Sequence, residues 1–105
     1  MKYRKVTAII PTFSLEDVEN ALLDIAVPGM TVTRAHGMGE YRNFYTKDGM
    51  SDCSRVEVYI EAAKASEVAD TIAKAVHQGM STDGVIAITP VEEFMHIREY
   101  EEQKA

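Results

Sequence analysis

The sequence has a single cysteine, Cys53, no tryptophan, and only three prolines among its 105 residues. One cysteine cannot form an intrachain disulfide, so the fold must be stabilised by a packed core. The chain also lacks an N-terminal apolar signal region and any apolar run long enough to span a bilayer. These absences together predict a cytoplasmic protein.

Positive charge is also scarce, with 11 Lys and Arg residues against 17 Asp and Glu residues, a formal net charge of −6 and a pI near 5.0. Nucleic acids and anionic membranes would repel such a surface, so neither is an expected partner. The composition, 46% hydrophobic and 27% charged, is that of a globular protein. Residues 1–105 are therefore predicted to form a single domain with one core.

The first half of the chain predicts a strand, a helix and a second strand. Residues 3–10 alternate between apolar and polar side chains, which indicates a half-buried strand that ends at Pro11. Ser14 is the predicted N-cap of an amphipathic helix that ends before Pro28. Residues 30–35 are rich in β-branched side chains and predict the second strand.

The second half repeats this plan. Residues 55–61 alternate between charged and apolar side chains and predict a third strand. Ser66 is the predicted N-cap of a second amphipathic helix, which ends at Gly79. The apolar residues 85–88 then predict a fourth strand, stopped by Pro90.

Two strand-helix-strand units in one small domain predict an α+β, ferredoxin-like fold, in which an antiparallel sheet carries both helices on one face. The units are joined by residues 37–53, which lack periodicity and are predicted to form a loop; residues 99–105 are predicted to be a solvated tail. The second face of the sheet would hold Thr31, Glu57 and Tyr59, a set too mixed in polarity for a core. This face therefore predicts a subunit interface or a ligand cleft.

The connection from the second helix to the fourth strand, residues 79–84, reads Gly-Met-Ser-Thr-Asp-Gly. Small polar residues between two glycines turn the backbone tightly, so free amide N–H groups are predicted to converge there and to attract an anion. The alternative is an ordinary connection without a ligand, and this loop alone does not decide between the two.

These features together resemble the PII signalling proteins, trimeric ferredoxin-like regulators that bind adenine nucleotides in clefts between subunits. The resemblance covers nearly the whole chain, and residues 29–33, Gly-Met-Thr-Val-Thr, are its most specific part. Its other points are Pro11, Phe13, Leu15, Val18, Gly37-Met38-Gly39, Glu57, Gly79, Asp83-Gly84, Val91-Glu92-Glu93 and Ile97-Arg98. The resemblance implies a homotrimer.

The resemblance also implies a nucleotide site assembled from several segments, with the adenine near Ile9, Thr31 and Tyr59, and the phosphates at residues 37–39, at the loop of residues 81–84 and at Arg98. The implied residues are Ile9, Thr31, Gly37, Met38, Gly39, Tyr59, Ser81, Thr82, Asp83, Gly84, His96 and Arg98. The family usually has lysine at the positions of Met80 and Val85 and arginine at that of His96. Because charge-assisted contacts are the strong ones, their loss favours AMP or ADP over ATP.

The loop of residues 37–53 is much shorter than in most of the family, where it begins with a glutamine that helps bind Mg-ATP with 2-oxoglutarate. Here Gly39 is followed by Glu40 and Tyr41, and Tyr41 offers a phenol in place of the amide oxygen that would ligate magnesium. Cys53 stands at the position of a lysine that pairs with the oxo acid, so 2-oxoglutarate sensing is not expected. The chain is similar to short-loop PII-like proteins associated with carboxysomes and inorganic-carbon transport. That similarity implies ADP or AMP as ligand, bicarbonate as co-ligand, and a transporter or carbon-fixation component as protein target. Glu40, Tyr41 and Arg42 are the candidate co-ligand contacts, and ligand binding is expected to order the loop.

Two alternatives stay open at this point: a nitrogen-type PII regulator that binds ATP, and an enzyme that hydrolyses a phosphate with Asp83, His96 or Glu57. No nucleophile beside a base can be identified, so a regulator without catalytic residues is predicted. His36 and Cys53 bracket the loop, but their spacing fits no standard zinc signature. No metal and no cofactor are therefore predicted.

Overall fold

The computed structural model describes residues 2–37, 51–80 and 82–101, which form a four-stranded sheet and two α-helices. In chain order these are β1 (Tyr3–Pro11), α1 (Leu15–Asp24), β2 (Thr31–Gly37), β3 (Ser51–Glu61), α2 (Ala65–Val76) and β4 (Val85–Val91). The strands lie in the order β2-β3-β1-β4, and every neighbouring pair is antiparallel. This is the predicted ferredoxin-like α+β arrangement.

The core lies between one face of the sheet and the two helices. Alternate residues of the two central strands are fully buried on this face, and each helix contributes one apolar stripe to the same cluster. The core side chains are Val6, Ala8, Ile10, Val56, Val58 and Ile60 from the sheet, Val18 and Leu22 from α1, and Val68, Ile72 and Val76 from α2. Both helices therefore cover the same face, as predicted.

The second face of the sheet, called the open face below, carries the residues that alternate with the core positions. Lys5, Thr7 and Ile9 of β1 are only half-buried there, and Thr31 and Thr33 of β2 are exposed. Within the described part of the chain, the segment that follows β4 supplies the aromatic cover of this face. The remainder of the face is available for an additional layer.

The helix starts differ from the prediction, because a 3₁₀ turn precedes each helix, at Thr12–Ser14 and Ala62–Lys64. Ser14 does occupy the N-cap position of α1, but its backbone is already helical and its side chain makes no capping hydrogen bond. The prediction of Ser66 as a cap is wrong, since α2 begins at Ala65 with Lys64 in the N-cap position. A turn that leads directly into a helix lacks the extended N-cap conformation from which a serine hydroxyl reaches the first amides.

The strand ends also correct the prediction. Pro90 does not stop β4, which runs to Val91 with Pro90 opposite Arg4 of β1. The order of the strands makes β4 an edge strand, and an edge strand tolerates a residue without an N–H group. β3 begins at Ser51, paired with Gly37, so the segment between β2 and β3 is residues 38–50.

The helices are shorter than predicted, because α1 ends at Asp24 and α2 at Val76, each several residues before the predicted end. Neither of these helices, nor any other in the described ranges, combines the length and apolar character that crossing a membrane requires.

Candidate functional site

The connection between α2 and β4 is organised by the side chain of Asp83. Its Oδ2 accepts hydrogen bonds from the backbone amides of Gln78 at 2.8 Å, Gly79 at 3.0 Å and Met80 at 3.3 Å. The amide of Asp83 donates in turn to the carbonyl oxygen of Met80 at 3.0 Å. The predicted convergence of amides is present, but these three amides are not free, because the chain supplies its own carboxylate to them.

The hydrogen bond from Gln78 is the main reason why the pKa of Asp83 lies below its ordinary value, with further contributions from the amides of Met80 and Gly79 and from His77. The Nδ1 of His77 lies 3.6 Å from Oδ2 of Asp83. Asp83 is therefore ionised at neutral pH and fixes the shape of the loop. An added anion would have to use other amides of this loop or displace the carboxylate.

Gly84 ends this loop in direct contact with the end of β1. Its φ is +115°, and a Cβ built at this position would collide with the carbonyl oxygen of Ile9. Only glycine combines this backbone conformation with so close an approach. The sequence motif at residues 83–84 thus has a local explanation: Asp83 shapes the loop, and Gly84 seats it against β1.

The three predicted adenine contacts share the open face of the sheet. Ile9 pairs with Arg55, Thr31 pairs with Glu57, and Tyr59 pairs with Lys5. Because directly paired residues point to the same face and Arg55, Glu57 and Tyr59 alternate along β3, all these side chains lie on one side. The register therefore places Ile9, Thr31 and Tyr59 on one continuous surface, and their role in binding stays a prediction.

Glu57 lies near the centre of this surface between two cations. One of its carboxylate oxygens is 3.4 Å from Nζ of Lys5, and the other is 3.3 Å from Nε of Arg55. Its side chain is only 19% exposed, so this small charge cluster is partly removed from water even in the single chain. Both oxygens are engaged, which leaves Glu57 as a structural ion-pair partner in this arrangement.

An aromatic cluster that the sequence analysis missed covers one end of the open face. The ring of Phe94 stacks on Tyr3 with a centroid separation of 4.3 Å and lies 5.5 Å from the ring of Tyr59. His96 meets Phe94 edge-on at 5.0 Å. The sequence signal for this cluster is the pair of ring side chains two positions apart, Phe94 and His96, shortly after the fourth strand.

The remaining predicted phosphate contacts lie at opposite ends of the sheet. β1 and β4 pair from Ile9 with Val85 to Tyr3 with Val91, so the loop of residues 79–84 lies at the Ile9 end. Residues 92–98, which include His96 and Arg98, follow β4 at the Tyr3 end. Ile9 and Tyr3 are six positions apart, which corresponds to about 20 Å of strand.

This separation has a direct consequence for the predicted site. Gly37, Thr82, Asp83 and Gly84 lie at one end, and His96 and Arg98 lie at the other. A single chain therefore does not bring the predicted phosphate contacts together. Met38, Gly39, Glu40, Tyr41, Arg42 and Ser81 lie outside the described residues.

A cavity of about 560 Å³ adjoins Arg98 at the Tyr3 end. Arg98 and Lys64 stand on its rim together with the rings of Tyr59 and Phe94, and the turn that follows α1 closes the other side. Cationic groups beside aromatic rings can accept an anionic planar ligand. The acidic Glu61 and Glu67 also line this cavity, so its net charge is close to balanced.

His36 and Cys53, which bracket the predicted loop, do not face each other. His36 is paired with Asp52, and its Nδ1 lies 3.4 Å from that carboxylate, whereas Cys53 is paired with Ala35. Adjacent pairs point to opposite faces of a sheet, so the two side chains diverge. Burial, reinforced by the charge of Asp52, raises the pKa of the Cys53 thiol. Over the described ranges, no group of three or more His, Cys, Asp or Glu residues is placed to hold a metal.

Comparisons with known proteins agree on one family. The sequence profile of the family "Nitrogen regulatory protein P-II" matches residues 3–101. The chain is 34% identical over 103 residues to the nitrogen regulatory protein P-II of Azospirillum brasilense, covering 90% of this chain and 91% of that protein. It is 38% identical over 101 residues to the nitrogen regulatory protein GlnK2 of Haloferax mediterranei, covering 89% and 81% respectively.

The fold is similar to that of a solved structure, described as the crystal structure of Arabidopsis thaliana PII bound to citrate. The TM-score is 0.78 at 27% sequence identity, over 92% of this chain and 82% of that one. Members of this family are regulatory signal transducers and not enzymes, so the alternative of a phosphate-hydrolysing enzyme is wrong. Sequence profile, relatives and fold lead to one conclusion: the chain belongs to the P-II family of signal-transduction proteins.

Proposed function

We propose that this protein is a regulator that binds adenine nucleotides, ADP or AMP more tightly than ATP, in clefts between the subunits of a homotrimer. The observation that carries the proposal is the division of the predicted phosphate contacts between the two ends of the sheet. A cleft between two chains would place the loop end of one subunit, with Gly84, against the Arg98 end of its neighbour. Closed three-fold symmetry would repeat that cleft three times.

The open face supports assembly. It carries the ion cluster of Lys5, Glu57 and Arg55 beside half-buried Ile9 and Thr7, without a covering layer from the described residues at these positions. A face of mixed polarity with paired charges is typical of subunit interfaces that also hold a polar ligand. Light scattering is expected to give three times the 11.7 kDa mass of one chain.

The preference for fewer phosphates rests on three positions. Met80 is 58% exposed on the loop and Val85 is 37% exposed at the start of β4, so both present apolar surface at the loop end. His96 packs edge-on against Phe94 at the other end. Of the positions where the resemblance implies a cation beside the phosphates, Arg98 keeps an arginine. A ligand with more phosphate charge gains least from such a site.

Calorimetric titration with AMP, ADP and ATP tests this preference directly. The double variant Met80→Lys/Val85→Lys is expected to improve ATP binding by about 1 kcal/mol or more per restored charged hydrogen bond. The control Asn20→Lys/Leu23→Lys adds the same charge at exposed positions of α1 and is expected to leave ATP binding unchanged. Equal ATP affinity in the two double variants would show that the loop does not meet the distal phosphates.

The output of the proposed switch is the segment of residues 37–53, which would report nucleotide and bicarbonate to a protein target such as a transporter or a carbon-fixation component. Its ends are fixed by the pairing of Gly37 with Ser51, and Arg42 is the proposed anion ligand within it. Amide hydrogen exchange across residues 37–53 should slow when ADP and bicarbonate are added together. Unchanged exchange would mean that these ligands do not set the conformation of the segment.

A second candidate is a nitrogen-type regulator that binds ATP with 2-oxoglutarate, and the names of the relatives favour it. Against it stands Cys53, which is 2% exposed between Pro11 and Ala35 and offers a buried thiol where the oxo acid would need a cation. Titration of ATP with and without 2-oxoglutarate distinguishes the two functions. Stronger ATP binding in the presence of the oxo acid would favour the nitrogen-type regulator.

A further inference from the structure

Phe94 occupies a position where it competes for the aromatic surface of Tyr59. Tyr3 and Tyr59 stand in neighbouring rows of the open face, on β1 and β3. The ring of Phe94 lies nearly parallel to that of Tyr3, at 15°, and is tilted by 35° to that of Tyr59. His96 contacts Phe94 edge-on. Phe94 is therefore half-buried against rings of its own chain, and it covers only part of Tyr59, which stays 44% exposed.

The segment that carries Phe94 has little regular structure to hold it on the sheet. Residues 92–96 form no strand and no helix. The side chains that flank the cluster point outward, since Met95 is 46% exposed and Ile97 is 88% exposed. Phe94 is therefore the aromatic anchor of the segment on the open face.

We propose that Phe94 is an intramolecular plug, and that an adenine base competes with it for the side of the Tyr59 ring that Phe94 contacts. This inference rests on the proposed function, because Phe94 would regulate binding at the same nucleotide site. A purine and a phenyl ring prefer the same stacked or edge-on contacts with a tyrosine, so the two compete for one surface. The apparent affinity for nucleotide is then reduced by the fraction of molecules in which Phe94 is seated.

The proposal also explains how binding would be transmitted along the chain. Displacement of Phe94 frees the backbone on both sides of it, including Arg98, which lies four positions further along the chain and lines the adjoining cavity. Arg98 would then be able to reach the phosphates in a neighbouring cleft. Phe94 would leave Tyr59 and Arg98 would approach the phosphates in the same movement. The plug would thereby couple recognition of adenine to closure of the site.

The experiment compares ADP binding by the wild-type protein, Phe94→Ala and Phe94→Leu, using calorimetry on the full chain. Removing the ring is expected to tighten ADP binding about five- to tenfold, which is the effect of abolishing one aromatic pair that competes with the base. Phe94→Leu keeps apolar bulk without a stacking ring and is expected to give a smaller gain in the same direction. Pyrophosphate, which has no base, isolates the coupling to Arg98: it is expected to bind Phe94→Ala more tightly than the wild type, because loss of the plug frees Arg98, but with a smaller gain than ADP shows.

Ile97→Ala is the control variant, because Ile97 lies in the same segment, is highly exposed and belongs to no ring contact. It should bind ADP as the wild type does. Proton NMR of the Tyr3 ring provides an independent readout, because Tyr3 stacks on Phe94: ADP should shift the Tyr3 resonances in the wild type in the direction in which Phe94→Ala shifts them without ligand.

The possible outcomes separate this inference from the function on which it rests. Equal ADP affinity in wild type and Phe94→Ala overturns the plug and leaves nucleotide regulation standing. Weaker binding by Phe94→Ala also overturns it, since Phe94 would then support the base instead of excluding it. No binding of any adenine nucleotide by either protein overturns the proposed function and the plug together.

Discussion

Asp83 stabilises its loop by accepting three backbone hydrogen bonds, and this contribution depends on its charge. Its pKa in the folded protein lies below the ordinary value of 3.8, so its stabilisation is fully present above that value and is lost as the pH falls through the folded pKa. We expect Asp83→Asn to lower the urea midpoint at pH 7. The difference from wild type should shrink below about pH 3.8, where the carboxylate is increasingly protonated.

Asp70→Asn is the matched control for this prediction. Asp70 is an exposed helical aspartate whose Oδ2 lies 3.3 Å from Nζ of Lys74, a surface pair of the kind that contributes little. Its variant should have nearly the wild-type midpoint at pH 7. A pH-independent difference between Asp83→Asn and wild type would show that the carboxylate charge is not what organises the loop.

Gly84 contributes through the absence of a side chain. Gly84→Ala should destabilise the protein by at least about 2 kcal/mol, because the new Cβ meets the carbonyl oxygen of Ile9 and φ is +115°. Gly79→Ala separates these two causes, since Gly79 has φ +79° but open space around its Cβ direction. Its cost should be about 1 kcal/mol, the strain of the left-handed backbone alone. Equal losses in the two variants, measured by urea denaturation, would contradict the close contact.

Single residues also show where sequence reasoning stopped. The polar, glycine-bounded composition of residues 79–84 correctly indicated converging amides, but it could not show which acceptor they meet. Asp83 satisfies them from within the loop, four and five positions after Gly79 and Gln78. An aspartate shortly after a helix end is a recognised local hydrogen-bond acceptor, so the same residues that predict an anion site are also compatible with a loop that satisfies its own amides.

At the scale of the element, α1 ends in a capping motif whose stability a single substitution should increase. Val27 donates its amide to Leu22 at 3.1 Å and Ala26 donates to Leu23 at 3.0 Å, the paired hydrogen bonds of a Schellman motif. Ala26 occupies the left-handed position with φ 59°, where glycine is normally found. Ala26→Gly is therefore expected to stabilise the protein by about 1 kcal/mol in urea denaturation.

Ala21→Gly, in the interior of the same helix, is the opposing control. There glycine should cost about 1 kcal/mol, because the backbone is right-handed and gains nothing from losing its Cβ. Destabilisation by both variants would mean that the left-handed strain at Ala26 is not relieved by glycine.

The elements themselves were predictable because each has a clear hydrophobic period, as in Val6, Ala8 and Ile10 of β1. Their ends were not, because the ends depend on neighbours in space. Pro90 continues β4 because the strand lies at the edge of the sheet, a fact fixed by the strand order and invisible in residues 85–91 alone. Ser66 fails as a cap because α2 follows directly on the 3₁₀ turn and begins at Ala65, two residues before the helix start that an N-cap at Ser66 would give.

At the scale of the whole molecule, the register of β1 with β4 decides what one chain can bind. The sequence order supplied every segment of the predicted site, and the register shows that Gly84 and Arg98 lie at opposite ends of the sheet. This distance could not be derived from spacing along the chain, because Gly84 and Arg98 are only 14 positions apart. The intervening β4 carries the chain from one end to the other in an extended conformation.

A mixed assembly tests this arrangement. In the proposed site, Asp83→Asn would impair the loop end and Arg98→Ala the opposite end, so the proposed homotrimer of either variant should bind ADP weakly at all its sites. If each site joins the loop end of one subunit to the Arg98 end of another, co-refolding the two variants in equal amounts should restore about a quarter of the sites by random assembly. Calorimetry of the mixture would measure this fraction as high-affinity ADP binding.

In the control, each variant is folded alone, the two are then mixed, and the mixture is measured before subunits can exchange. This mixture should show no restored sites. Wild-type affinity is expected at the restored sites, because one cleft in such a mixed trimer combines an intact loop with an intact arginine. Were both ends of a site supplied by the same chain, every cleft would carry one defect whatever the mixture. An absence of high-affinity sites after co-refolding would therefore contradict a site shared between subunits, even if light scattering finds a trimer.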